Sequence, residues 1–216
     1  MKIVIVGATG FVGKALVAEA AHRGHEVTAI ARHVDGVASV PGVTARNADV
    51  MDTDSLAKVF AGHDAVLSAF NPGWTNPNIY NDSLAGLKSI EKAVEKAGVL
   101  RYLVIGGAGS LEVSPGVQLV DTPQFPADYK DGARAARDYL NVLKQNARLE
   151  WTFLSPAILM HAGITDGRTG SYRIGTDNPV FDAHGESRLS VEDLAVALID
   201  ELEQRRFVRR RFTAAY

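Results

Sequence analysis

A glycine-rich segment directly after the first apolar run constrains the fold of this chain more than any other feature. Residues 3–6 are all β-branched and apolar, as expected for a strand that is covered on both faces. Glycines then recur three residues apart, at Gly7, Gly10 and Gly13, and apolar residues at helical spacing follow. A strand, a tight glycine turn and a helix in this order are typical of the first unit of a parallel α/β sheet.

The order of strand and helix repeats along most of the chain. Alternating strands and helices require parallel pairing, right-handed crossovers and helices on both faces of the sheet. The predicted fold is therefore α/β, a Rossmann-like doubly wound parallel sheet. The predicted strands cover residues 3–6, 26–31, 43–48, 65–70, 102–105 and 151–154, and the predicted helices cover 12–22, 54–61, 84–97 and 131–147.

The C-terminal third departs from this alternation. A hairpin-like segment is predicted at residues 168–174. Ser190 and Asp193 form a capping-box signature for a helix over residues 191–202, and a terminal strand is predicted at 211–214. We interpret this part as a small C-terminal substrate lobe.

Length and composition indicate one ordinary globular domain. The 216 residues are 46% hydrophobic and 22% charged, the net charge is −2, and there is no cysteine. The net charge excludes an overall positive potential that would attract nucleic acid or anionic lipid, and the absence of cysteine excludes thiol chemistry. We predict a single domain over residues 1–216, with substrate loops near 107–128 and 157–185.

The remaining coarse features concern location and partners. The N-terminal apolar run is too short for a signal sequence and ends at Gly7, which favours a cytoplasmic protein. The histidines show no ligand spacing, so no metal site is predicted. We expect a small-molecule partner, no nucleic acid and no membrane, in a monomer or homodimer.

The glycine turn is suited to bind a diphosphate. Glycine permits a tight turn, close approach of a pyrophosphate to the backbone, and close packing of helix on strand. The first helical turn adds unpaired N–H groups and the positive end of the helix dipole. The alternative is a turn that needs glycine for its shape alone. The predicted dinucleotide contacts in the turn are Gly7, Thr9, Gly10, Phe11, Val12 and Gly13.

Arg32 follows the second predicted strand, where NAD-selective sites hold an acid about 20 residues after the glycines. An arginine there can bind a 2′-phosphate with its planar set of donors. We therefore predict NADP as the cofactor, with NADPH preferred over NADH. The alternative is a solvated Arg32, with Asp35 turned towards the ribose.

The chain resembles the atypical and extended short-chain dehydrogenase/reductase families, in particular the NmrA-like NAD(P)H-binding group that includes NADH-flavin reductases. Besides the glycines and Arg32, the resemblance rests on Asp49-Val50, Tyr129-Lys130 and residues 151–157, 168–170 and 187–195. These stretches span nearly the whole chain.

The resemblance implies further cofactor contacts. It places Asp49 and Val50 by the adenine. It also implies that the segment after the fourth strand passes the ribose and nicotinamide, and that the end of the 151–154 strand lines the far wall. The implied contacts of these last two groups are Ala69, Phe70, Asn71, Ser155 and Pro156.

One departure from the family pattern concerns catalysis. Reductases with the full machinery pair a tyrosine with a lysine four residues later, whereas Tyr80, Tyr129 and Tyr139 are followed at that spacing by leucine or alanine. That lysine lowers the tyrosine pKa and anchors the ribose, so ordinary alcohol–ketone proton transfer is not expected. A flavin, a quinone or another conjugated acceptor stabilises the incoming hydride itself and takes its proton from solvent.

Two residues are candidate catalytic groups. Ser110 lies where the resembled families place a substrate-polarising serine, and the alternative is an ordinary loop serine. Tyr129, with Lys130, precedes the helix expected to pass the nicotinamide, and the alternative is helix-start packing.

Trp74 lies in a turn-rich stretch, where it either stacks on an aromatic acceptor or anchors its loop. The arginine cluster at residues 205–211 is interpreted as a solvated helix end.

Three functions fit these features. The first is an NADPH-dependent reductase of a flavin, quinone or similar conjugated acceptor. The second is a non-catalytic redox sensor of the NmrA kind, which binds dinucleotide and changes its contacts with a regulator protein. The third is a nucleotide-sugar epimerase or dehydratase, which usually needs the missing tyrosine–lysine pair and a longer substrate lobe.

Overall fold

An eight-stranded, mostly parallel sheet organises the computed structural model, which describes all 216 residues. Its strands are β1 (Lys2–Val6), β2 (Glu26–Ala31), β3 (Val43–Asn47), β4 (Ala65–Ser68), β5 (Arg101–Ile105), β8 (Glu150–Ser155), β9 (Arg173–Gly175) and β10 (Arg210–Ala215), while β6 (Glu112–Ser114) and β7 (Val117–Gln118) form a separate hairpin. The helices are α1 (Phe11–His22), α2 (Thr53–Phe60), α3 (Ile79–Lys96), α4 (Ala127–Leu143) and α5 (Val191–Gln204).

The strand order creates a crevice beside β1. The sheet runs β3-β2-β1-β4-β5-β8-β10-β9, and only β9 is antiparallel to its neighbour. β1 pairs with β2 on one side and with β4 on the other, so the chain reverses its direction across the sheet between β1 and β4. Ligands of doubly wound sheets bind at the carboxyl ends of the strands at such a switch point.

Apolar side chains cover both faces of the sheet. Along β1, Ile3 and Ile5 join a cluster of 23 buried residues with α1 and α5, while Val4 and Val6 join a cluster of 21 with α2, α3 and α4. This alternation follows from the strand period of two, because successive side chains point to opposite faces. The predicted doubly wound α/β fold is confirmed.

Two predictions for the irregular segments were wrong. α4 begins at Ala127 after a Pro126 cap, so Tyr129 and Lys130 lie inside its first turn rather than before it. The 168–174 segment forms no local hairpin, because β9 pairs instead with the distant β10. The long loop near 107–128 is partly ordered by the β6–β7 hairpin and two short 3₁₀ turns.

Half of the predicted capping box forms at the start of α5. The Ser190 hydroxyl accepts a hydrogen bond from the Asp193 backbone N–H at 3.1 Å. The buried Asp193 carboxylate does not return to Ser190. It accepts bonds from the Thr169 and Gly170 backbone N–H groups and from the Tyr216 hydroxyl, and thereby ties the segment after β8 to α5.

Candidate functional site

The glycine turn after β1 is held by two close backbone contacts. Gly7 has a φ of +81°, and a Cβ built on it would lie 2.6 Å from the Ala69 carbonyl oxygen at the end of β4. A Cβ on Gly13 would lie 2.0 Å from the Gly7 carbonyl oxygen. Gly7 therefore allows the turn and Gly13 allows α1 to pack against it, as the sequence predicted.

Gly10 has a different position in the turn. It is exposed, its φ is −74°, and a Cβ there would meet only the Gly7 carbonyl oxygen, at 3.3 Å. The next three backbone N–H groups, of Phe11, Val12 and Gly13, form no hydrogen bond within the chain. The start of α1 thus presents free donors and the positive end of the helix dipole beside an unobstructed backbone, an arrangement suited to bind an anion.

The segment after β2 lies against the glycine turn. Arg32 and Asp35 are both exposed and form no ion pair or side-chain hydrogen bond with the rest of the chain. A Cβ built on Gly36 would lie 3.5 Å from the Thr9 Cγ2 atom, so this loop contacts the turn. The structure therefore brings a free guanidinium and a free carboxylate to the same edge.

The predicted adenine side follows β3 at the same edge. The Asp49 carboxylate accepts a hydrogen bond from the Met51 backbone N–H at 3.0 Å, and this local turn fixes its orientation. Val50 is buried in the core. The Ala48 N–H donates to the Ala31 carbonyl, which holds the segment beside the end of β2.

The segment after β4 borders the other side of the crevice. The Ala69 N–H donates to the Val6 carbonyl at 2.9 Å, which extends the pairing of β1 and β4. The Phe70 ring packs against α3 at Gly86, where a Cβ would be only 2.3 Å from its Cε1 atom. The Asn71 side-chain oxygen accepts from the Gly73 N–H, so these residues form a fixed wall.

Ser155 and Pro156 at the end of β8 are both buried. The Ser155 hydroxyl has no hydrogen-bond partner in the chain, and neither has that of its register partner Thr213 on β10. Buried hydroxyls are ordinarily hydrogen-bonded. The Ser155 hydroxyl is therefore free to form a hydrogen bond with a ligand at this edge.

Ser110 lies deeper than a residue in direct contact with substrate. It is 1% exposed, and its hydroxyl and carbonyl oxygens accept bonds from the Arg211 guanidinium at 3.1 and 2.7 Å. Arg211 also pairs with Asp177. The arginine cluster is therefore not wholly solvated, and the interpretation was wrong for Arg211. The alternation of Arg211 and Thr213 with apolar Phe212 and Ala214 in a strand was the available signal.

Tyr129 is half exposed in the first turn of α4, and its ring packs edge to face on Trp74 with centroids 5.2 Å apart.

Two other tyrosines, Tyr102 and Tyr139, lie fully buried with their hydroxyls 3.3 Å apart, and burial raises the pKa of both. Neither of the buried pair is able to protonate a substrate. Neither Ser110 nor Tyr129 forms a hydrogen bond with a lysine.

The family of the chain follows from its match to a known model. A family model described as NAD(P)H-binding matches residues 7–202, from the glycine turn to the end of α5. This protein belongs to that NAD(P)H-binding family. Its fold and relatives fit the atypical short-chain dehydrogenase/reductase, NmrA-like group, so the predicted dinucleotide binding is confirmed at this level.

Three solved structures resemble this NAD(P)H-binding protein over its full length. One from Bacteroides thetaiotaomicron, provisionally named an epimerase, is 43% identical, with a TM-score of 0.91 and coverage of 100% of this chain and 96% of the other. One from Burkholderia pseudomallei, provisionally named an exported protein, is 44% identical, with a TM-score of 0.87 and 100% coverage of both chains. One from Streptococcus pneumoniae, provisionally named an NADH-flavin reductase, is 35% identical, with a TM-score of 0.85 and coverage of 100% and 99%.

Two further observations bear on ligands and location. No group of three or more His, Cys, Asp or Glu side chains is arranged to hold a metal ion. None of the helices combines the length and apolarity needed to cross a bilayer. The cytoplasmic location stays a prediction.

Proposed function

We propose that this NAD(P)H-binding protein is an NADPH-dependent reductase of a flavin, a quinone or a similar conjugated acceptor. The observation that carries the proposal is the combination of free N–H groups at the start of α1 with an unpaired Arg32 at the neighbouring strand end. The N–H groups fit the pyrophosphate, and the guanidinium fits a 2′-phosphate. The likeness to the Streptococcus pneumoniae protein supports the choice of acceptor class.

The residues that would hold the cofactor line one continuous edge. Thr9 to Gly13 would bind the diphosphate, Arg32 the 2′-phosphate, and Asp49 and Val50 would lie by the adenine. The wall from Ala69 to Asn71 and the Ser155 hydroxyl would orient the nicotinamide end. A cofactor held by these residues would supply the hydride that reduces the acceptor.

Proton delivery in this proposal does not need an internal acid. A reduced quinone or flavin delocalises the added charge, so solvent is a sufficient proton donor. Tyr129 is exposed at the same edge and is our proposed residue in contact with the acceptor. Ser110, buried under Arg211, acts in this proposal by positioning the loop rather than by touching the substrate.

The test is NADPH oxidation followed by absorbance in the presence of riboflavin, FMN, menadione and simple ketones. We expect turnover with the conjugated acceptors and none with the ketones. NADH should be used less efficiently than NADPH, and the Arg32→Ala variant should lose that difference. Binding of NADPH without turnover of any acceptor would overturn the reductase proposal.

A second candidate, dinucleotide sensing without turnover, is favoured by one observation. The serine that the resembled reductases use to polarise substrate is buried here and bonded to arginine. A sensor would retain a partner protein in the presence of one redox form of the cofactor and release it with the other. A pull-down with NADPH against NADP⁺, combined with absence of turnover, distinguishes the two functions.

A further inference from the structure

An exposed aromatic pair stands at the edge of the sheet where the acceptor would enter. Trp74 belongs to the loop after β4 and is 54% exposed, while Tyr129 belongs to the first turn of α4 and is 51% exposed. Their rings meet edge to face at an interplanar angle of 88°. Both loops follow the carboxyl ends of neighbouring strands, β4 and β5, so the pair lies on the same edge as the glycine turn.

The tryptophan is held in place by a glycine on the facing helix. A Cβ built on Gly132 would lie 2.7 Å from the Trp74 Cζ3 atom and 3.1 Å from the Ile79 Cδ1 atom. Gly132 lies inside α4, where glycine weakens a helix relative to alanine. Its presence lets the indole pack on the helix backbone while the rest of the ring stays exposed. Loop anchoring alone would bury the residue, whereas Trp74 stays 54% exposed.

The charges around the pair limit the kind of ligand. Residues 71–78 carry no charge, and residues 107–134 carry four acids, Glu112, Asp121, Asp128 and Asp131, against Lys130 and Arg134. Arg134 lies 4.0 Å from Asp131, and Lys130 is exposed without an ion pair, so the four acids outweigh the two bases and the segment has a net charge of −2. This surface offers aromatic contact and a net negative charge, which disfavours a phosphate.

We propose that Trp74 and Tyr129 form the acceptor-binding clamp, and that the acceptor is an uncharged planar conjugated molecule, a quinone or an unphosphorylated flavin. The proposal rests on the reductase function proposed above and defines its substrate class. Trp74 stacks on the acceptor ring, and Tyr129 fixes the orientation of the indole. Gly132 is a positioning residue that acts through Trp74.

The kinetic test compares Trp74→Ala, Trp74→Phe and Tyr129→Ala with Leu100→Ala, an exposed apolar residue ahead of β5 at the opposite edge. We expect Trp74→Ala to raise the KM for menadione and riboflavin about five- to tenfold, with the NADPH dissociation constant unchanged. Trp74→Phe, which keeps a ring, should stay within about twofold of the wild type. A wild-type KM in Trp74→Ala would overturn the clamp while leaving the reductase function standing.

A Gly132→Ala variant separates the clamp from stability. Alanine favours the helix, so we expect a melting temperature no lower than that of the wild type. Because the added Cβ displaces the indole, we expect the KM for the acceptor to rise as it does in Trp74→Ala. An unchanged KM would contradict the positioning role.

A binding test keeps the inference independent of turnover. Riboflavin fluorescence is titrated with the NADP⁺-loaded protein, where no reduction occurs. We expect quenching by the wild type and by Leu100→Ala, and its loss in Trp74→Ala. Equal quenching by all variants would overturn the clamp, whereas quenching without any NADPH oxidation would overturn only the reductase. A several-fold lower KM for FMN than for riboflavin, with the advantage lost at high salt, would overturn the uncharged acceptor.

Discussion

Replacing Gly10 with leucine should abolish dinucleotide binding in a protein that still folds. The φ of −74° and ψ of 172° at Gly10 are open to any L-residue, and its added Cβ would need only a few tenths of an ångström of relief from the Gly7 carbonyl oxygen at 3.3 Å. At Gly13 a Cβ would lie 2.0 Å from the same oxygen, so a variant there would damage the turn itself. Gly10 is therefore the glycine at which bulk tests binding alone.

The expected loss follows from the donors that the side chain would screen. The N–H groups of Phe11, Val12 and Gly13 are free to meet a diphosphate. A hydrogen bond to a charged group contributes about 1.5–3 kcal/mol, so losing two of them costs about 3–6 kcal/mol. Because each 1.4 kcal/mol is a factor of ten, affinity should fall by at least about 100-fold.

Calorimetric titration with NADPH and NADH measures this loss directly. Ala18→Leu, which adds the same side chain to the exposed face of α1, is the matched control and should bind like the wild type. Gly10→Ala should fall between the two. Undiminished affinity in Gly10→Leu, with a melting temperature within a few degrees of the wild type, would refute the assignment of the diphosphate to this turn.

Three further predictions concern charged residues. Arg32→Ala should weaken NADPH about tenfold and NADH by less than about twofold, and equal losses in calorimetry would refute the phosphate role. Arg101→Met should lower the free energy of unfolding by about 3–5 kcal/mol in denaturant titrations, because it leaves buried Glu201 without the guanidinium that faces it at 2.7 Å. A hydrogen bond from Arg168 is the main cause that lowers the pKa of Glu19. The ionised carboxylate therefore stabilises the fold above about pH 4.3, the unfolded value, and this contribution disappears as the pH falls through the lower folded pKa. The stability difference between wild type and Glu19→Gln should shrink below about pH 4, and a constant difference would contradict the assignment.

The fold was predictable because its signals are local. β2 and its helix neighbours are read from apolar periodicity and glycine stops within a few residues, and the observed Glu26–Ala31 strand matches the predicted 26–31. The start of α4 was missed because its first turn, after Pro126, is polar and carries no apolar period. The 168–174 error has the opposite cause, since β9 finds its partner in β10, far along the chain. No local pattern encodes that pairing.

The candidate site likewise has a local part, which the sequence predicts, and a part formed by distant residues, which it does not. The glycine turn lies within one strand–turn–helix unit, so its spacing predicted the glycines that allow the turn and the close packing of α1, at Gly7 and Gly13. The burial of Ser110 depends on Arg211, a residue from the last strand that reaches back to the loop after β5. The sequence alone does not show that these two residues, which are far apart in the chain, are in contact.

This difference explains why the cofactor is better defined than the acceptor. In our proposal the dinucleotide is bound by backbone groups of the first helix, and those donors exist in any sequence that makes this turn. The proposed acceptor side comprises the loop after β4, the first turn of α4 and the end of β8, which come together only in the folded sheet. Substitutions in those parts can therefore change the acceptor while the cofactor turn stays intact. Relatives with the same fold and provisional names as different as epimerase and flavin reductase are consistent with that division.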